Sequence, residues 1–389
     1  MRTEDPALEA ARTFIGGRFK MRILFSGGGT AGHINPAVAI ARAVSEKEDC
    51  EAAFVGTDEG LESELIPRLG YKLYKIKVHG FERSLKPSNI KNLLELPKSI
   101  NDSKKIIKDF KPDIVVGTGG YVAGPVLYAA AKLKIPTLIH ESNAYPGITT
   151  KILSRYVDTV ALGAENAKEY LGNAKRIVYT GNPVRPSILS VSEFEARRRL
   201  GLDNRPFIVI FGGSMGARDF NKNIVDWICK YASDGRYQIM MGTGKFHQYD
   251  TVLERFKAGG ADISKIDGLT VSEYIYDMDV VMSAADLVIS RAGASTLSEL
   301  TALGKPAVLV PSPYVTANHQ EHNARAVESK GGARVILESE LSPETLEKTV
   351  SELTGDKDKL RKMRAASKAC GTTRATEDIY NEMKRLLGK

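Results

Sequence analysis

The chain has 389 residues, 42% hydrophobic and 26% charged, with a formal net charge of +8. That composition excludes a disordered chain, and the length exceeds what one ordinary core serves, so two domains are expected. Three scattered cysteines (Cys50, Cys229, Cys370) lack any C-x-x-C spacing, which argues for a reducing compartment and against a cysteine zinc site.

In chain order, residues 1–20 lack a long apolar run and read as a dispensable extension, with Met21 opening the first strand. Seven strands are expected at 22–26, 52–55, 72–77, 114–117, 137–140, 159–162 and 176–179, separated by segments of helical periodicity. The first strand feeds a glycine turn, Gly27-Gly28-Gly29-Thr30-Ala31-Gly32, followed by His33. Such a turn at a helix start gathers free backbone N–H groups at the positive end of the helix dipole, a site for phosphate or a close polar ligand. It also fits the G-x-G-x-x-G dinucleotide fingerprint, but the acidic residue is displaced to Asp58 and His33 stands where close packing favours a small side chain. A further glycine cluster, 117–124, ends the fourth strand and is expected to help floor the same cleft.

Between Tyr71 and Lys111 stand eleven Lys/Arg against four acids, interleaved with Ile76, Val78, Phe81, Leu85 and Leu93. This is either a solvated helix face or a surface that docks on anionic lipid. No nucleic-acid recognition motif accompanies it.

Two prolines in Gly181-Asn182-Pro183-Val184-Arg185-Pro186 mark a linker, giving a first lobe at 21–182 and a second lobe at 183–370. The second lobe repeats the alternation, with strands at 207–211, 237–241, 271–275, 287–290, 307–310 and 334–337. Its opening strand feeds another glycine turn, Gly212-Gly213-Ser214-Met215-Gly216. Asp277-Met278-Asp279 resembles a metal-binding D-x-D, but acids at a helix start explain it without a metal. The segment 371–389 reads as a helix that crosses back to the first lobe. The fold class is therefore α/β: two Rossmann-like, doubly wound lobes facing a cleft.

Six ordered segments carry a family resemblance: 28–37 (GGTAGHINPA), 140–147 (HESNAYPG), 181–185 (GNPVR), 212–218 (GGSMGAR), 286–299 (DLVISRAGASTLSE) and 318–324 (NHQEHNA). Together they resemble the MurG family of N-acetylglucosaminyltransferases, which convert lipid I to lipid II in bacterial cell-wall synthesis. The resemblance implies the GT-B fold, UDP-GlcNAc held mainly by the second lobe and the lipid-linked acceptor by the first. It implies an inverting reaction with one general base, no cofactor and no metal.

The family motif makes His33 a candidate base, against the alternative that it packs at the helix start. Glu141 is a competing base or an orienting partner, or else a strand-end salt bridge. Thr30, Ala31 and Gly32 match donor and acceptor contacts, and Asn143 a donor-contacting amide, against an Asx-turn. Arg185 and Ser214 match positions near the diphosphate. Ile275 matches the uracil-contacting backbone, with Ala294, Ser295 and Thr296 at the adjoining helix start. Glu299 matches the ribose-binding carboxylate, against an exposed helix acid, and Gln320 an amide on the sugar, with Asn323 behind it. Met215 departs from a glutamine common in the family. A polyprenyl-linked acceptor implies a peripheral protein on the cytoplasmic face of the membrane, docked through 71–111, with other cell-wall synthesis proteins as further partners. The alternatives are another lipid-directed transferase of diacylglycerol type, a non-catalytic nucleotide-sugar-binding protein, or an NAD enzyme.

Overall fold

A computed structural model of the chain describes residues 20–80, 87–213, 215–244 and 248–388. The extension expected at 1–20 thus lies almost wholly outside the described residues, as do 81–86 of the basic stretch.

The first sheet holds β1 (Met21–Ser26), β2 (Cys50–Gly56), β3 (Lys72–Lys75), β4 (Ile114–Gly117), β5 (Thr137–Glu141), β6 (Thr159–Leu162) and β7 (Ile177–Tyr179), in the order β3-β2-β1-β4-β5-β6-β7. The second holds β8 (Phe207–Phe211), β9 (Gln238–Gly242), β10 (Leu269–Ser272), β11 (Leu287–Ser290), β12 (Ala307–Leu309) and β13 (Ala333–Val335), in the order β10-β9-β8-β11-β12-β13. Every pairing is parallel.

Parallel strands covered by helices on both faces read as near-continuous apolar runs, and successive residues then serve different cores. Leu24 enters one cluster with Val115 and Ile139, while Ile23 and Phe25 enter the other with Ile34 and Phe54. In the second sheet Ile208 and Ile210 pack on one face with Trp227, and Phe207 and Val209 on the other with Leu300.

The strand expected at 271–275 is a correction. The paired segment is Leu269–Ser272, and the chain leaves the sheet at Tyr274. Ile275 is buried not as a strand residue but as an anchor of that loop, close beside Gly242.

The helix Ala375–Leu386 lies against the first sheet, not the second. Ile379 and Met383 are fully buried with Ile23, Phe25 and Ile34. Two such side chains contribute about 1.5–3 kcal/mol each. Polar contacts fix the register: Glu382 accepts from Thr159 Oγ1 at 2.8 Å and from Arg176 Nε at 2.9 Å. Tyr380 donates to Glu48 at 2.6 Å, and that bond to a carboxylate pushes its phenol up to about 12.

Candidate functional site between two glycine turns

Each sheet order reverses direction once, between β1 and β4 and between β8 and β11. At such a switch point the connections leave to opposite faces and open a crevice beyond the carboxyl ends of the strands. The glycine turns sit there. Ser26 pairs with Gly117, so turn 27–32 and cluster 117–124 emerge side by side. Phe211 pairs with Ser290, which likewise sets turn 212–216 beside 291–299.

In the first crevice, helix Ala31–Ser45 begins after Thr30, whose hydroxyl makes no capping bond. The His33 ring meets the Thr118 carbonyl through Nδ1 at 3.0 Å, while Thr118 Oγ1 donates to the His33 carbonyl at 2.6 Å. A carbonyl only accepts, so Nδ1 is the donor in this bond, and Nε2 is the ring nitrogen left for another partner. The cluster expected to floor the cleft packs on this ring: a Cβ on Gly119 would stand 2.8 Å from His33 Nδ1, and one on Gly120 2.4 Å from the Gly28 carbonyl. Both glycines also have positive φ, 95° and 78°, which favours glycine independently.

Glu62, which the sequence reading does not single out, is 1% exposed beneath this turn. Its carboxylate accepts from Gly29 N–H at 2.9 Å, Thr57 N–H at 3.1 Å and Thr57 Oγ1 at 2.8 Å.

Glu141, expected as a competing base or an orienting partner, has hydrogen-bond partners on both carboxylate oxygens and no salt bridge among the described residues. It is 4% exposed, and its carboxylate accepts from the backbone N–H and side-chain amide of Asn143 and from Gly147 N–H, at 3.0–3.1 Å. Both oxygens are thus engaged in holding the 141–147 loop. The linker braces the same loop from below: His140 Nε2 donates to Gly181 O at 3.1 Å, and Asn182 Nδ2 to Ser142 O at 3.0 Å. Complete burial lowers the His140 pKa.

This loop reaches the second lobe. Asn323 accepts from Ala144 N–H at 2.8 Å and donates to Asn143 Oδ1 at 3.1 Å, and Tyr145 stacks on His322 with centroids 4.8 Å apart. Asn143, expected at the donor sugar, therefore bonds across the lobes to the helix His319–Glu328 that carries Gln320.

In the second crevice, a cavity of about 600 Å³ is lined by Gly212, Gly216, Ala217, Arg218, Arg291 and Gln320, among others. Gln320 accepts from Ser312 N–H at 2.9 Å, which leaves its NH₂ for the cavity. Arg291 is held by Glu338 and by the carbonyls of Val310 and Pro311. Gly216 has φ 77°, and a Cβ there would lie 2.5 Å from the Thr243 carbonyl, so turns 212–216 and 242–244 touch backbone to backbone. Ser214 falls outside the described residues. Met215 is 62% exposed.

Arg185 and Glu299, expected at different parts of the donor, bond each other: Arg185 Nε donates to Glu299 Oε1 at 2.7 Å, and this raises the arginine's pKa further. Ala294, Ser295 and Thr296 form the first turn of helix Ala294–Leu303 after Gly293. Asp277 and Asp279 flank the start of helix Met278–Ala284, and no group of three or more His, Cys, Asp or Glu suited to a metal occurs among the described residues.

Family comparison divides the chain as the sheets do. The glycosyltransferase family 28 N-terminal domain matches residues 23–162, and the glycosyltransferase family 28 C-terminal domain matches 207–380. A relative from Acetivibrio thermocellus is 47% identical over 369 residues, covering 94% of this chain and 98% of its own. One from Bacillus cereus is 45% identical over 372 residues, covering 95% and 100%. Both are named UDP-N-acetylglucosamine--N-acetylmuramyl-(pentapeptide) pyrophosphoryl-undecaprenol N-acetylglucosamine transferase. Among solved structures, MurG of Acinetobacter baumannii superposes with a TM-score of 0.75 at 26% identity, covering 94% of this chain and 99% of that one. A UDP complex of S. aureus MnaA, 17% identical with a TM-score of 0.67 over 95% and 97%, shares the fold.

Proposed function

The chain belongs to glycosyltransferase family 28, and on that premise we propose that it moves GlcNAc from UDP-GlcNAc to lipid I, forming lipid II for peptidoglycan. The acceptor is the MurNAc 4-hydroxyl of undecaprenyl-diphospho-MurNAc-pentapeptide, and the anomeric carbon inverts.

The observation that carries the reading is the His33 ring fixed at a switch-point crevice by its Nδ1 bond to the Thr118 carbonyl, which leaves Nε2 as the ring nitrogen for a substrate. Nε2 takes the acceptor hydroxyl proton as that oxygen attacks C1 of GlcNAc. The C1–O bond to the β-phosphate breaks on the opposite face, and UDP leaves with the bonding pair. Turn 212–216, at the start of helix Arg218–Trp227, meets the diphosphate with Arg185 and Ser214. Glu299 accepts from ribose hydroxyls, with its Arg185 partner keeping it oriented. The Ile275 backbone meets the uracil, and Gln320 and Asn143 address the sugar. Thr30, Ala31 and Gly32 present the first turn to the sugars at the reacting centre. Glu141 shapes this site through the 141–147 loop.

No described helix is long and apolar enough to cross a membrane. The lobe comes to a bilayer-bound acceptor through the basic surface at 71–111, where each Lys or Arg near anionic headgroups adds about 1 kcal/mol. Exposed Leu94 on helix Pro87–Phe110 is an apolar contact within that surface.

Transfer from radiolabelled UDP-GlcNAc to a lipid I analogue tests the function. Label is expected in the lipid product, and its failure to appear with the intact protein overturns the reading. Co-sedimentation with liposomes tests the docking: binding is expected to need anionic lipid and weaken with salt, and indifference to both removes the electrostatic version.

A further inference from the structure

The first glycine turn is the same length and composition as many anion cradles, yet a carboxylate lies beneath it. Glu62 is buried, and every hydrogen bond it makes is one it accepts. Both oxygens of the carboxylate are thus engaged as hydrogen-bond acceptors. Among the described residues no ion pair neutralises it. It lies so close that a Cβ on Gly28 would come within 2.6 Å of its Oε1, and one on Gly60 within 2.3 Å. The turn is glycine-rich here to admit this carboxylate as well as a ligand. Gly29 N–H, which an incoming anion would otherwise use, is already donated to Glu62.

We infer that Glu62 is a positioning residue that makes the first turn selective for neutral sugar hydroxyls and against phosphate. The inference rests on the transfer reading above and refines it: the diphosphate of the lipid-linked acceptor lies away from turn 27–32, and the turn addresses the sugar to be glycosylated. Two physical effects act together. The hydrogen bond to Gly29 fixes the entry into helix Ala31–Ser45 and so aims His33. The Gly29 N–H held by Glu62 is also lost to any anionic ligand, and the carboxylate packed beside Gly28 opposes the attraction of that helix start for one. A hydroxyl donor bears no such penalty.

The experiment compares the intact protein with Glu62→Gln, after transfer by the unaltered protein has established the underlying reaction. The amide keeps the shape, removes the charge and presents an NH₂ where an N–H donor now points. Turnover is expected to fall about 10-fold with KM for UDP-GlcNAc within about 2-fold, the split expected when a transition-state interaction is lost and donor binding is not. Inhibition by inorganic pyrophosphate against the acceptor is expected to strengthen about 5-fold or more, a change that loosened packing alone would not produce. Unchanged pyrophosphate inhibition in a folded Glu62→Gln protein overturns the inference. Should that variant fail to fold, backbone amide NMR of the unaltered protein decides. Pyrophosphate is expected to move the Gly213 and Gly216 amides and leave Gly29 in place. Movement of Gly29 together with them overturns the inference.

Discussion

The two glycine turns stand at equivalent points of their sheets, each after the strand beside the switch point, and differ in what lies around them. Around the first, a buried carboxylate takes one of its amides and a histidine follows it. Around the second, Arg218 and Arg291 line an open cavity, each with a carboxylate partner, Asp219 and Glu338. One turn offers a carboxylate and an imidazole; the other offers amides and guanidinium groups. The same backbone device thus serves opposite chemistries, and the neighbouring side chains decide which.

The widest separation between the turns is expected in turnover. His33→Ala should reduce kcat by about 10²–10⁴-fold, the usual worth of a positioned base, with UDP-GlcNAc affinity unchanged by calorimetry. Unchanged turnover would leave the first turn without its chemical role. The turns should also differ in tolerance. Gly216→Ala forces a Cβ onto the Thr243 backbone, and a loss of about 3 kcal/mol or more is expected in denaturant melts. Gly29→Ala shares the positive-φ strain but meets the Tyr121 ring, which can rotate away, so about 1–2 kcal/mol is expected. The reverse order would contradict the packing.

A pH experiment isolates the second lobe. Lys305 is buried against Glu193 and the carbonyls of Ser283 and Ala285, and burial lowers its pKa from 10.5 to about 8. Between those values the unfolded chain binds the proton and the folded one does not, so stability rises with pH from about 8 to 10.5. The gain is on the order of 3 kcal/mol. Below pH 8 this lysine is protonated in both states and its contribution is flat. Subtracting the profile of Lys305→Met should reveal that rise, and a flat difference would refute it.

Smaller effects are expected at single hydrogen bonds. Glu299→Ala should weaken UDP-GlcNAc binding by about 2 kcal/mol, the worth of hydrogen bonds to a charged group, while unaltered affinity would remove Glu299 from the donor site. Asn323→Ala unpairs Ala144 N–H and Asn143, and a stability loss of about 1–2 kcal/mol is expected in thermal melts.

Much of the fold is legible because parallel strands buried on both faces are short apolar runs bounded by glycine, as at 207–211. The reading slips at 271–275, where Tyr274-Ile275-Tyr276 has strand-like residues but the ladder has ended. Local pattern cannot tell a buried loop anchor from a strand residue. In the site, the glycine turns and His33 follow from order along the chain. Glu62 does not: within Glu62-Ser63-Glu64-Leu65 it reads as one more exposed helix acid, and only a turn 33 residues upstream buries it. The Asn143–Asn323 bond spans 180 residues and leaves no local mark on either segment. Glu141 is open to both a base and an orienting reading for a related reason, since a strand-end acid looks the same whether it faces a substrate or its own loop.

The helix Ala375–Leu386 has a consequence for synthesis. It completes a core whose other members run from Met21 to Ala161, with Ile23, Phe25 and Ile34 some 350 positions earlier. On the ribosome the first lobe would therefore carry an uncovered apolar face while the whole second lobe is being made. The order of translation and the order of completion are reversed, so the lobe that starts first finishes last and needs shelter meanwhile.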